Sequence, residues 1–557
     1  MTKDKSPMTK DKKHLFWLIG SLTFAVIYGS MAMQKAFKTA YVVQDDARQH
    51  VFWMQRFLDP ELFPDDFITD YFQSVATGGY KALYQVMAGL GVEPFLFNKL
   101  LPLVLGLITT FYCFQLCLEL LPVPFAGFAA AVLLNQSLWM GFDLVSATPR
   151  AFAYPLFVAF LYYWLQRRWL PLLISIGLMG GFYPTCVLLA SGILFWQMLV
   201  SQKQKLNLDF LGLASLGLAV VVMLGYAMEP SAYGSLVSGA AAREMPEFLP
   251  GGRNYFFDDN PFLFWLTGSR SGWLPLLMPP LIWVGLCLPW LLQQKSRFPL
   301  AGMVTEKIRI FSAIIITSTG WFVLAHLLLF KLYLPSRFTN LSLRVVMALA
   351  AGMVTAIVWD KIWRAKKWLP LGWLLLGLLL LYPHLDSSFP RTSYRVIKDP
   401  TIYEFFQQQP KDILIASLSD AANNIPTFSG RKILVSREYG ISYHQAYVQE
   451  FRQRATNLIA AQYTPDLTTV QNFIRKYGVD FWLLDRNAFT PEYLAENTWL
   501  QQYQPVAGEA VATLQGGVTP ALASLQAGCT ILNAGDYTIM AADCIMKGSS
   551  TESNASN

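Results

Sequence analysis

The sequence predicts a polytopic α-helical membrane protein of roughly 11 transmembrane helices with an extracytoplasmic α/β domain at its C-terminal end. Three observations carry this. The 557 residues are 54% hydrophobic and only 14% charged, too apolar for a soluble globule. Apolar runs long enough to cross a bilayer alternate with short basic clusters, and after Pro383 the composition turns to that of ordinary soluble protein. The net charge of +7 sits mainly in those clusters, which reads as membrane orientation and not as nucleic-acid binding.

Residues 1–14, which repeat MTKDK, read as a solvated cytoplasmic tail. Leu15 to Met33 follows a basic stretch and ends near the small residues Gly29, Ser30 and Ala32, as a signal peptide would. The run is long for that and is read as an uncleaved first span. The next segment, 34–94, is an outer loop holding YVVQDDARQHVFWMQRFLDP, Tyr41 to Pro60. Apolar residues at 47, 51, 54 and 58 follow helical spacing there, which predicts an amphipathic helix lying in the membrane interface. Asp46 with Gln49 three residues on makes a capping box, which explains one acid of the Asp45–Asp46 pair but not both.

Tyr80 to Leu90 is a short apolar helix, Phe95 to Leu120 returns to the cytoplasm, and Ala126 to Met140 leaves it again. GFDLVSATPR then lies outside, and Ala151 to Leu165 returns to Arg167 and Arg168. Trp169 to Val200 is too long for one span, is broken by Gly180, Gly181 and Pro184, and precedes Lys203 and Lys205. Two short spans with an outer turn at GGFYPT are expected. Phe210 to Met228 crosses to an outer loop, 229–272, and Trp273 to Leu292 returns to Lys295 and Arg297. Arg309 to Phe330 crosses to KLYLPSRFTN, Leu343 to Trp359 returns to DKIWRAKK, and Trp368 to Tyr382 crosses last. The membrane domain is thus 15–383, in a multi-pass protein of the inner or plasma membrane with a cytoplasmic N-terminus. In the extracytoplasmic domain, 384–547, DILIAS, KILVS and VDFWLLD read as strands, and Tyr443 to Ala461 and Leu467 to Tyr477 as helices. Cys529 and Cys544 flank a hairpin at Asn533 to Asp536, as a disulfide or as two buried thiols. Residues 548–557 read as a disordered tail.

The distinctive polar clusters all fall on the outer face. They are Asp45 with Asp46, Asp65 with Asp66, Thr148 to Arg150, Asp258 with Asp259, and Lys331 with Arg337 and Arg344. Acids and bases on one face suit a substrate whose anionic group is held by Arg and whose reacting hydroxyl or amine gives its proton to a carboxylate. Adjacent carboxylates also suit a divalent cation held against a phosphate. Asp65 and Asp66, after Pro64, fit the cap of the next short helix, and Asp258 and Asp259 fit a turn before Asn260-Pro261. Arg150 and Arg344 begin spans, where a basic side chain often only reaches for the interface.

The acidic pair directly after the first span, and YKALYQVMAGLGVEPFLFNKLLPLVLGLITTFYCFQLCLELL beyond it, resemble the GT-C superfamily of membrane glycosyltransferases, in its protein O-mannosyltransferase and aminoarabinose-transferase branch. The resemblance implies a GT-C-like fold and transfer of a sugar from a polyprenyl-phosphate-linked donor to a lipid, glycan or protein acceptor on the outer face. It also implies a first-loop acid acting as base or as ligand of Mg or Mn. By position this falls on Asp45 or Asp46, with Asp45 as base because Asp46 is the better cap. Arg337 and Arg150 are assigned to the donor phosphate from their place at span ends; Lys331 joins them as a substrate-binding residue, and His50, one turn after Asp46, is placed to assist there. Direct displacement implies inversion at the anomeric carbon. The rival reading is a lipid or glycolipid transporter or flippase without transferase activity, which broken helices such as Trp169 to Val200 also fit. The scarcity of ionisable residues inside the spans counts against it.

Overall fold

The computed structural model describes residues 10–202, 209–228, 231–366 and 368–548. Most of the tail 1–14, the pair Lys203 and Lys205, and the tail beyond Gly548 lie outside those residues. The apolar runs become helices α1 (Lys10–Ala36), α2 (Pro94–Leu120), α3 (Pro124–Trp139), α4 (Ala153–Leu165), α5 (Trp169–Phe182), α6 (Thr185–Gln202), α7 (Phe210–Met228), α8 (Ile310–Leu327), α9 (Ser336–Ala365) and α10 (Leu369–Leu381). Among the described residues five helices are long and apolar enough to cross a membrane, and these place the chain in one. They are α1, α2, α7, α9 and the helix that contains α8.

Helix α9 is the centre of the bundle. In its most apolar window 89% of residues are buried, against 17% in α7, which faces outward along most of its length. Without a hydrophobic effect between helices in lipid, close backbone approach has to supply the contact. Gly352 of α9 does so against α3: a Cβ there would meet the Ala130 nitrogen at 2.4 Å. Every residue of α3 from Ala126 to Trp139 is buried, which explains its lack of an amphipathic pattern.

Two expected elements differ. The run Trp273 to Leu292 does not form one continuous helix but an irregular stretch, a 3₁₀ segment Pro280–Cys287 and a short helix Leu288–Gln293. Pro275, Pro279, Pro280 and Pro289 remove backbone donors throughout it. The first-loop segment is not an interfacial helix either. It forms a strand β1 (Val42–Gln44), one helical turn Ala47–His50 and a 3₁₀ turn Phe52–Phe57. Ala47, Val51, Phe52, Trp53 and Met54 are buried, with Phe52 packed between Phe63 and Phe72 of the first loop and Tyr439 of the C-terminal part. Burying side chains the size of Phe52 and Trp53 is worth about 1.5–3 kcal/mol each.

That C-terminal part pairs β1 with β2 (Tyr394–Val396), antiparallel, with Val43 opposite Arg395. Beyond it lies a five-stranded sheet of β3 (Leu414–Ser417), β4 (Lys432–Ile433), β5 (Phe481–Asp485), β6 (Thr530–Ala534) and β7 (Tyr537–Ala541), in the order β4-β3-β5-β7-β6. β3, β4 and β5 run parallel, while β7 runs antiparallel to β5 and β6. The helices Gln445–Tyr463 and Leu467–Tyr477 stand close to their expected bounds. Cys529 and Cys544 are disulfide-bonded, their Cα atoms 5.4 Å apart, which closes β6 and β7 onto the helices at either end.

Candidate functional site

A cavity of about 430 Å³ lies where the first loop, the α3–α4, α5–α6 and α8–α9 connections, the 253–270 loop and the segment 441–444 meet. The helix that follows Thr77 and the end of α5 come together beside it through two glycines: a Cβ on Gly79 would sit 2.7 Å from the Gly181 carbonyl oxygen.

Asp46 lines this cavity and Asp45 does not. The capping box expected of Asp46 and Gln49 is not formed. The Asp46 side chain makes no cap bond, and Gln49 instead donates to the Glu438 backbone oxygen at 2.7 Å. The cap comes from Gln44, whose Oε1 accepts from the backbone nitrogens of Asp46 and Ala47 at 2.8 and 3.3 Å. Relieved of capping, the Asp46 carboxylate receives Arg150 Nη2 at 2.7 Å. Asp45 is held the other way. Its carboxylate is ion-paired to Arg48 and accepts from Arg395 Nε at 2.8 Å, and its backbone nitrogen donates to Ser393. Burial pushes its carboxyl up, but Arg395 and Arg48 outweigh that and hold it below the usual carboxylate value.

His50 lines the cavity beside Asp46, and burial holds its imidazole below the ordinary value despite that carboxylate. Arg150 does not merely reach for an interface: besides Asp46, its Nε lies 3.1 Å from Asp143 Oδ1. The other Asp143 oxygen receives Arg344 Nη1 at 2.8 Å, and that same nitrogen donates to Tyr154 Oη at 2.6 Å. Burial raises the Asp143 carboxyl, yet Arg150, Arg344 and Arg337 together hold it well below the carboxylate range. Asp143 was missed from the sequence; a lone acid between two spans in GFDLVSATPR is its only local signal.

Arg337 also lines the cavity, from the first turn of α9 and not from a free turn. Among the described residues no carboxylate lies within ion-pair distance of it, and its Nε is buried without a hydrogen-bond partner. Lys331 is exposed and lines no part of the cavity, because the connection turns Phe330, Tyr333 and Leu334 inward instead. Asp66 caps its helix, accepting from the Thr69 nitrogen at 2.9 Å, and Asp258 accepts from the Asn260 nitrogen at 2.8 Å.

Glu438, for which the sequence has no signal, ties the walls together. Its carboxylate accepts from Arg48 Nη2 at 2.8 Å and from Arg253 Nη2 at 2.9 Å, as well as from Gln49. Asp45 and Asp46 therefore point apart, each at a guanidinium, and no group of three His, Cys, Asp or Glu side chains among the described residues is placed to hold a metal ion. Mg or Mn needs several oxygen ligands around one point, and this donor set does not fit either.

This combination of helical bundle and α/β sheet has similarities in fold among solved structures, all at low sequence identity. The oligosaccharyltransferase of Archaeoglobus fulgidus, tethered with an acceptor peptide containing the NVT sequon, has a TM-score of 0.55 to this chain at 14% identity, covering 89% of this chain and 72% of that one. The same archaeal enzyme in complex with an inhibitory peptide and a dolichol-phosphate gives the same TM-score, identity and coverage. ArnT from Cupriavidus metallidurans in the apo state gives 0.48 at 12% identity, covering 95% of this chain and 98% of that one. No family model and no curated protein matches the chain in sequence. The coarse expectation from the spans, a helical membrane bundle, is thus observed.

Proposed function

We propose that this chain is a membrane glycosyltransferase, moving a sugar from a polyprenyl-phosphate-linked donor to an acceptor on the extracytoplasmic side, with the N-terminus cytoplasmic and residues 384–547 forming the extracytoplasmic α/β domain. The observation that carries the reading is that one cavity holds both a carboxylate released from capping, Asp46, and an arginine, Arg337, with no acid partner among the described residues. The first suits removal of a proton and the second suits a phosphate. Asp46 replaces Asp45 as the proposed base, since two guanidiniums already occupy Asp45.

In this mechanism the donor's phosphate lies against Arg337 and its polyprenyl chain runs between helices into the lipid. The acceptor hydroxyl or amine attacks the anomeric carbon from the face opposite the phosphate. A bond forms between acceptor oxygen or nitrogen and that carbon, and the carbon–oxygen bond to phosphate breaks with its electron pair on the phosphate. The acceptor's proton passes to Asp46, and the sugar configuration inverts. Arg150, anchored by Asp143, aims the Asp46 carboxylate. His50 borders the acceptor's approach.

The test is transfer of label from radiolabelled polyprenyl-phosphate sugars by the purified chain in nanodiscs. Asp46→Asn should abolish turnover in a folded protein, and Asp45→Asn should act mainly on stability. Full turnover by Asp46→Asn would remove Asp46 as base. A product of retained configuration would remove the single displacement.

A further inference from the structure

The cavity carries more positive charge than one phosphate diester can answer. Of the four arginines that line it, Arg150 is answered by Asp46 and Asp143 and Arg253 by Glu438. Arg337 and Arg270 are not answered: among the described residues neither has a carboxylate within ion-pair distance. Arg270 donates only to the carbonyl oxygens of Arg253 and Tyr255, at 3.1–3.5 Å.

The two unanswered guanidiniums come from one corner. The Ser336 nitrogen donates to the Arg270 carbonyl oxygen at 3.2 Å, and Ser336 Oγ to that of Ser269 at 2.9 Å, so the residue before Arg337 is fastened to Arg270 and its neighbour. Tyr443 lines the same cavity as both arginines, and burial raises its hydroxyl. Two like charges so placed repel each other in a partly dehydrated wall unless anions lie between them. A sugar joined to its lipid by one phosphate has a single negative charge in that linkage, whereas one joined by a diphosphate has two on adjacent phosphorus centres.

We infer that the lipid carrier meets this cavity as a diphosphate, one phosphate group on Arg337 and the next on Arg270. This rests on the donor reading above and makes it more specific. On transfer, the bond from the anomeric carbon to the terminal phosphate oxygen breaks, its electron pair stays on that oxygen, and the lipid leaves as the free diphosphate with one charge more. Arg270 then acts on the leaving group as well as on the bound donor.

Equilibrium binding of undecaprenyl phosphate and undecaprenyl diphosphate to the full chain in nanodiscs tests this without sugar or acceptor. The expected result is diphosphate binding at least about tenfold tighter, the factor that one charge-assisted hydrogen bond confers. Arg270→Gln should remove most of that preference while leaving monophosphate affinity within about twofold, which also reports that the variant is folded. Arg337→Gln should weaken both lipids. Equal affinities in the wild type, or a preference that survives Arg270→Gln, would overturn the inference. If equal binding is lost in Arg337→Gln, the donor reading stands and only the diphosphate falls. If neither lipid binds, the donor reading falls with it.

Discussion

Asp143→Asn is the sharpest probe of the charge network behind the cavity, because the substitution keeps shape and one acceptor oxygen while removing the charge. The gross attraction of Asp143 to Arg344 at 2.8 Å and to Arg150 at 3.1 Å is about 5–6 kcal/mol apiece at an effective dielectric near 20. Desolvation cancels much of this, and breaking a buried pair costs about 3–5 kcal/mol. Here neither arginine is fully orphaned, since Arg150 keeps Asp46 and Arg344 keeps Tyr154. A loss of about 2–3 kcal/mol at neutral pH is therefore expected, at the low end of that range. The pH dependence identifies the cause. The folded carboxyl titrates below its ordinary 3.8, so its stabilisation is present above that pH and is lost as pH falls toward the folded value. The gap between wild type and Asp143→Asn should narrow by about 1.4 kcal/mol per pH unit below the ordinary value. Denaturant unfolding in nanodiscs at pH 7 and pH 3 measures it. A gap of zero at pH 7, or one unchanged at pH 3, would refute the reasoning.

Glu438→Gln should loosen the first loop from the sheet, since it removes the charge on which Arg48 and Arg253 converge. Faster proteolysis within residues 41–60 and a fall in transfer rate of about tenfold are expected, the factor that follows from losing one charge-assisted bond. Cys529→Ser with Cys544→Ser should cost about 3 kcal/mol, as expected for a closed loop of this length. The loss should be read against wild type under oxidising conditions and vanish when both are reduced.

The helices were legible because a run of apolar residues has few other destinations, and the strands after Pro383 because LIAS and FWLLD are short, apolar and bounded by turns. Trp273 to Leu292 misled because hydropathy is blind to the four prolines that break it. The Asp45–Asp46 pair was legible as a site but not as a division of roles. Capping signals are local, and Asp46 does begin a helical turn, yet the cap is made by a side chain two residues upstream. What disposes of Asp45 is Arg395, 350 residues away. Glu438 depends on such distant partners and Asp143 on one of them, Arg344, beside the nearby Arg150, and a lone acid in a loop carries no periodicity to betray it.

The adjacency of the two acids itself separates them. Asp45 and Asp46 follow directly on β1, in the turn that leads into the helical turn Ala47–His50, and their carboxylates leave that turn toward different guanidiniums. Asp45 leaves toward β2, whose Arg395 is set beside it by the Val43–Arg395 register and by the bond from the Asp45 nitrogen to Ser393. Asp46 leaves toward the cavity. A pair built this way cannot close on one cation, and under the proposed mechanism it cannot supply two bases. It supplies one anchor and one reactive carboxylate, and the anchor belongs to a strand of the C-terminal segment. Shifting the β1–β2 register by one residue would therefore carry Asp46 out of the cavity with every membrane helix still in place.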